Sequence, residues 1–119
     1  MNAVVNAAST INPGIKQVHD ELIARHGSLS DLLGSTSSPS DAEAILREMQ
    51  EVNFRVMVSG SLLFKQTTAK LDASIAAVAA ASARLDESLS EAQRIQDIVK
   101  ATGRFLTLVD KLLDAIKLV

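Results

Sequence analysis

Apolar residues recur along this chain at the spacing of one helix face. Ile11, Ile15, Val18 and Leu22 fall at intervals of 4, 3 and 4, which predicts a short amphipathic helix over residues 14–27. Gly27 stands where a helix C-cap would and ends it. Before it, residues 1–13 are small, polar and free of side-chain charge, and Asn12-Pro13-Gly14 supplies a turn signal. They read as a flexible polar N-terminus. After it, residues 28–40 are dominated by Ser, Gly, Thr and Pro and read as a linker, with Leu29, Leu32 and Leu33 docking one extra turn.

A second helical stretch opens at Ser40, whose hydroxyl can cap the first free amides while Glu43 reaches back to the cap. From residue 41 to 119 there is no proline, and glycine occurs only at Gly60 and Gly103. The same 4-and-3 alternation runs through Val52, Val56 and Leu63, restarts at Leu71 and continues through Ile75, Val78, Leu85 and Leu89, and past Gln96 picks up Val99, Leu106, Val109, Leu113 and Ile116. Its average of 3.5 is the period of helices that pack lengthwise, so these residues form the expected helix-contact seam. A straight helix over this whole stretch would be about 120 Å long. The segment therefore folds back or assembles with copies. Thr67-Thr68 and Thr102-Gly103 are the weakest helix formers in it and mark the expected breaks. They predict arms near 41–66 and 69–101, followed by a last helix near 104–118. The fold class expected is all-α: an elongated helical hairpin or a small helical bundle with coiled-coil packing.

Composition narrows the function. Phe54, Phe64 and Phe105 are the only aromatic residues, so burial rests on Ala, Leu, Val and Ile, which suits closely spaced helices. The 12 basic and 14 acidic residues are interspersed and give a net charge of −2. That balance excludes the basic footprint of a nucleic-acid binder. With no cysteine, disulfides and thiolate metal sites are excluded. The longest uncharged, strongly apolar run, 73–83, falls far short of the roughly 20 residues of a membrane span. Asn2, Asn6, Ser9, Thr10 and Asn12 make the start too polar for a cleavable signal peptide.

No chemistry-bearing pattern emerges. His19 and His26 lie seven residues apart, roughly 10.5 Å along a helix axis, too far to share one metal ion. They read as exposed residues beside a helix end. Asp86-Glu87 and Glu48/Glu51 lack a nearby nucleophile, and no phosphate-cradling glycine loop or nucleophile elbow is present. No catalytic, cofactor-binding or metal-ligating residue is assigned. The block Ala73, Ala76, Ala77, Ala79, Ala80, Ala81 and Ala83 allows close backbone approach to a neighbouring helix, and also has high helix propensity. Arg104 to Val119 is strongly amphipathic, with Phe105, Leu106, Leu108, Val109, Leu112, Leu113 and Ile116 opposite Asp110, Lys111, Asp114 and Lys117. Its balanced charge favours burial against a helix over an anionic lipid surface.

The stretch running from Asn53 through Val56, Ser59, Leu62 and Lys65 to Ala69 resembles the C-terminal region of type III secretion inner-rod and needle-like proteins. The likeness covers residues 49–75, and the chain continues well past it. It implies self-assembly into a secretion conduit or filament, with seam residues between subunits, and a type III-like export route; otherwise a cytoplasmic location is expected. The leading expectation is a non-enzymatic protein that self-assembles or docks a helical partner. The alternatives are a membrane-active helical protein and a helical adaptor or chaperone for one client.

Overall fold

Asn12 does more than turn the chain. In the computed structural model, which describes residues 10–119, it is the N-cap of α1 (Pro13–Ser35), its Oδ1 accepting from the amides of Gly14 and Ile15 at 2.9 and 3.1 Å. Pro13 follows at the first helical position, where its missing N–H has no cost. The expected flexible N-terminus otherwise falls on residues 1–9, outside the described residues.

α1 does not end at Gly27. No glycine among the described residues has positive φ, and the helix runs eight residues further. Leu29 is buried there, and Leu32 and Leu33 pack against the core. Burying leucines contributes about 1.5–3 kcal/mol each when complete, more than the roughly 1 kcal/mol that glycine costs inside a helix. The expected 28–40 linker contracts to residues 36–38. α2 (Pro39–Ser61) begins again on a proline, and its cap is Ser38, not Ser40. The Ser38 hydroxyl accepts from the Asp41 amide at 3.4 Å.

Residues 62–68 then cross to α3 (Ala69–Glu91), which Thr68 caps through the Leu71 amide at 3.2 Å. The break expected at Thr67-Thr68 thus falls at the end of this connector. The break expected at Thr102-Gly103 does not occur. Residues 92–94 interrupt the helix instead, and α4 (Ile95–Lys117) passes straight through Thr102, which is 2 % exposed. Between Leu89 and Ile95 the sequence offers only Ser90, Glu91, Ala92, Gln93 and Arg94. Turning there buries Leu85, Phe105 and Leu112 in one core, which a continuous helix would leave exposed.

Four helices of 23 residues each form a small all-α bundle measuring 58 × 23 × 21 Å. α1 packs on α2 and α3 on α4 as antiparallel hairpins; α1 also packs on α3, and α2 on α4. The expected hairpin of residues 41–66 with 69–101 is therefore absent: α2 and α3 occupy opposite corners and do not pack together. Polar clamps hold the two parallel contacts. Arg25 on α1 donates to Asp86, and to the Ser82 carbonyl and hydroxyl at 2.8 and 2.9 Å, and lies 5.8 Å from the ring centroid of Phe105. Arg55 on α2 grips Asp110 on α4 through two bonds of 2.9 and 2.8 Å. The planar guanidinium matches a carboxylate in this two-pronged way, which fixes register as well as proximity. At the far end, the Asn12 amide group donates to the Lys65 carbonyl and the Thr67 hydroxyl, tying α1 to the connector that crosses the bundle.

Candidate functional site

The seam residues can now be placed. Val52, Leu71, Ile75, Val78, Leu85, Leu106, Val109, Leu113 and Ile116 are buried in the bundle core, and Val56, Leu63 and Leu89 pack half-buried against it. They meet one another within a single chain. Val99 departs from the set: the turn at 92–94 resets the helix phase, so Ile95, Ile98 and Thr102 face inward. Val99 is left on the flank beside Ser40 and Ala44.

The alanine block divides. Ala81 is buried, Ala79 is half-buried, and Ala73, Ala76, Ala77, Ala80 and Ala83 face outward from α3. The apolar side of α4 is internal apart from Leu108, which is 42 % exposed. Among the described residues, no helix is long and apolar enough to cross a membrane.

Two polar constellations invite a chemical reading. His19 Nδ1 lies 2.8 Å from Ser59 Oγ, and Ser59 is fully buried. The serine hydroxyl also reaches the Val56 carbonyl at 3.1 Å, an acceptor that competes with the imidazole for its single proton. A nucleophilic serine needs the imidazole to take that proton and needs access for a substrate, and Ser59 is 0 % exposed. The contact instead closes the α1–α2 interface, where Gly60 lets the His19 ring approach: a Cβ at Gly60 would stand 3.2 Å from its Cε1. His19 and His26 are both half-buried, a correction to the exposed pair expected from the sequence.

The second constellation surrounds Arg25. Glu21, one turn earlier, has a buried Oε2 with no hydrogen-bond partner, and burial pushes its carboxyl above the usual glutamate range. Next to it, Arg25, Ser28, Leu29, Leu32, Leu89, Ile98 and Thr102 line a largely apolar cavity of about 180 Å³. The Arg25 nitrogens on this network are committed to Asp86 and Ser82. The network braces helices. On α2, burial raises the Glu48 carboxyl in the same direction, with Glu51 adding to the shift and Arg55 opposing it. No group of three or more potential metal ligands occurs among the described residues.

The outer side of α2 differs from every other surface. Leu46, Phe54 and Met57 are 47, 59 and 67 % exposed, and Phe64, in the turn that follows the helix, is 56 % exposed. Gln50, Asn53 and Ser61 complete the stripe, all exposed and none charged. From Gln50 to Ser61 the central outward strip of α2 carries no charge; Arg47, the residue after Leu46, is exposed beside it and lies 3.9 Å from Glu43, while Glu51 and Arg55 lie toward α4, paired with each other and, through Arg55, with Asp110. Arg55 also sits 5.9 Å from the Phe54 ring centroid and holds that ring against the helix flank. Two of the three aromatic residues in the chain thus face solvent on one side of the molecule. Exposed Ile23 lies on the neighbouring face of α1.

Sequence reasoning missed this stripe. The signal was present: residues 46, 50, 53, 57, 61 and 64 repeat at intervals of 4, 3, 4, 4 and 3, a second helical phase rotated away from Ile45, Val52 and Ser59. Comparisons with protein families, with curated proteins and with solved structures gave no match to this chain.

Proposed function

We propose that this protein is a non-enzymatic interaction module that docks another helix along the outer side of α2. The observation that carries the reading is the apolar stripe from Leu46 to Phe64, free of charge between Gln50 and Ser61 and displayed by a bundle whose core is filled by other residues. A contiguous exposed apolar patch on a small helical protein marks an interaction surface. Helix-in-groove recognition uses anchors at the spacing seen here. The stretch that resembles secretion rod proteins overlaps this stripe at Asn53, Phe54, Met57, Ser61 and Phe64, so assembly of a rod or filament is one form that such docking takes. In that form the contacts between subunits come from the stripe and not from the seam. A membrane-active role keeps one of its two supports: the amphipathic side of α4 is used inside the bundle, while most of the alanine block on α3 faces outward.

Site-specific photo-crosslinking in the source cell tests the reading. A photoreactive residue at Met57 is expected to give a discrete protein adduct. The same residue at Ala76, exposed on α3, is expected to give none. No adduct at Met57, or equal labelling at both positions, would overturn it.

A further inference from the structure

If α2 is the docking surface, its pattern selects the occupant: we infer that the stripe pairs with the same stripe of a second copy, antiparallel, about a two-fold axis at the level of residue 55. This rests on the docking function proposed above and names its partner. The first support is the spacing. Reflection about residue 55 carries Leu46 onto 64, Asn53 onto 57 and Gln50 onto 60. An antiparallel pair therefore sets Leu46 of each copy opposite the turn that carries Phe64 of the other, and Met57 level with Asn53. Self-complementarity of one patch is what a two-fold dimer requires.

The second support is charge. A two-fold contact sets a surface against itself, so a charged residue near its centre meets its own like charge. From Gln50 to Ser61 the stripe has none, and the charges at the level of the axis, Glu51 and Arg55, pair with each other and, through Arg55, with Asp110. Exposed Arg47 lies eight residues from the axis, so the two-fold sets it level with residue 63 of the other copy and not with itself.

Area is the third. The exposed parts of Leu46, Phe54, Met57 and Phe64, with Gln50, Asn53 and Ser61, offer roughly 600 Å² per copy at the sizes of such side chains. Two copies bury about 1,200 Å², the lower edge of specific interfaces. The dimer is therefore weak and concentration-dependent.

Cysteine is absent from the chain, so single introduced cysteines report position cleanly. In purified protein, sedimentation equilibrium is expected to show the mass rising with concentration to twice that of one chain and no further. The Phe54→Glu/Met57→Glu variant is expected to stay at one-fold mass with unchanged helical circular dichroism. A short bis-maleimide should couple Met57→Cys to itself, because those positions lie about 6 Å apart along the axis in the pair. It should leave Leu46→Cys uncoupled to itself, at about 27 Å, yet join Leu46→Cys to Phe64→Cys in a mixture. A wild-type monomer at all concentrations, growth beyond two copies, a dimer that survives the Phe54→Glu/Met57→Glu changes, or self-coupling of Leu46→Cys would each overturn the inference. A purified monomer whose Met57 still crosslinks one different protein in the cell overturns the dimer alone and leaves the docking function standing.

Discussion

Replacing Gly27 and Gly103 by alanine is expected to stabilise the protein. Each glycine lies inside a helix, at neither position would a Cβ come within 4 Å of anything but its own turn of helix, and neither has positive φ. Nothing in the fold then opposes the intrinsic preference for alanine, about 0.8–1.0 kcal/mol per helix-interior position. The sites share no contact, so the effects add to roughly 1.5–2 kcal/mol. For a domain of this size that raises the melting midpoint by about 6–8 °C. Thermal melts followed at 222 nm on both single variants and the double measure it. Gly60→Ala is the control: its Cβ would press to 3.2 Å from the His19 ring, so the gain there is smaller or absent. Were Gly27 a helix C-cap in the left-handed region, alanine would cost about 1–2 kcal/mol instead. A lower midpoint for Gly27→Ala would refute the continuous α1.

Other substitutions test the polar clamps and the buried acids. Asn12→Ala removes the α1 cap and two bonds to the connector, with an expected loss of about 2–3 kcal/mol in chemical denaturation. Asn12→Asp keeps the cap acceptor and loses both donors, so it recovers only about 1 kcal/mol; full rescue would show that the connector bonds contribute nothing. Glu48 has a folded-state pKa raised above its unfolded value. Its contribution is therefore fully present below the unfolded pKa, near 4.3, and is lost as pH rises through the folded value. Glu48→Gln should accordingly melt higher than the parent at pH 7, with the difference shrinking as both are taken toward pH 4. An equal difference at both pH values would show that ionisation is not the cause.

Much of the fold was legible in the phase of single residues. Ile15, Val18 and Leu22, then Leu71, Ile75, Val78 and Leu85, lie inward as their 4-and-3 spacing predicts. The turns were harder because the chain punctuates them differently. Gly27 and Gly103, strong breakers locally, sit inside helices held by Leu29 and by Thr102 and Phe105 in the core. The real turn at residues 92–94 contains neither glycine nor proline, and Arg94 gives α4 no side-chain cap. Its position is fixed by tertiary burial, which no local pattern displays. The pairing of α1 with α3, and of α2 with α4, was hidden for the same reason: Arg25 and Asp86, or Arg55 and Asp110, are more than fifty residues apart in sequence. The stripe on α2 was legible as a second phase, but the inward seam masked it. Phe54 and Phe64 count as apolar in any composition, and only burial separates them from Phe105.

At the centre lies the claim that the seam closes within one chain, leaving the α2 stripe for a partner. The Val78→Asp/Leu85→Asp variant, melted by circular dichroism across a range of protein concentrations, tests it most directly. Both positions are less than 5 % exposed, and a charge forced into such a core has several kcal/mol of desolvation to overcome. The expected result is loss of helicity and of the cooperative melt at every concentration. A variant that stays helical, melts cooperatively and has lost only its ability to associate would place the seam between chains and contradict the closed bundle.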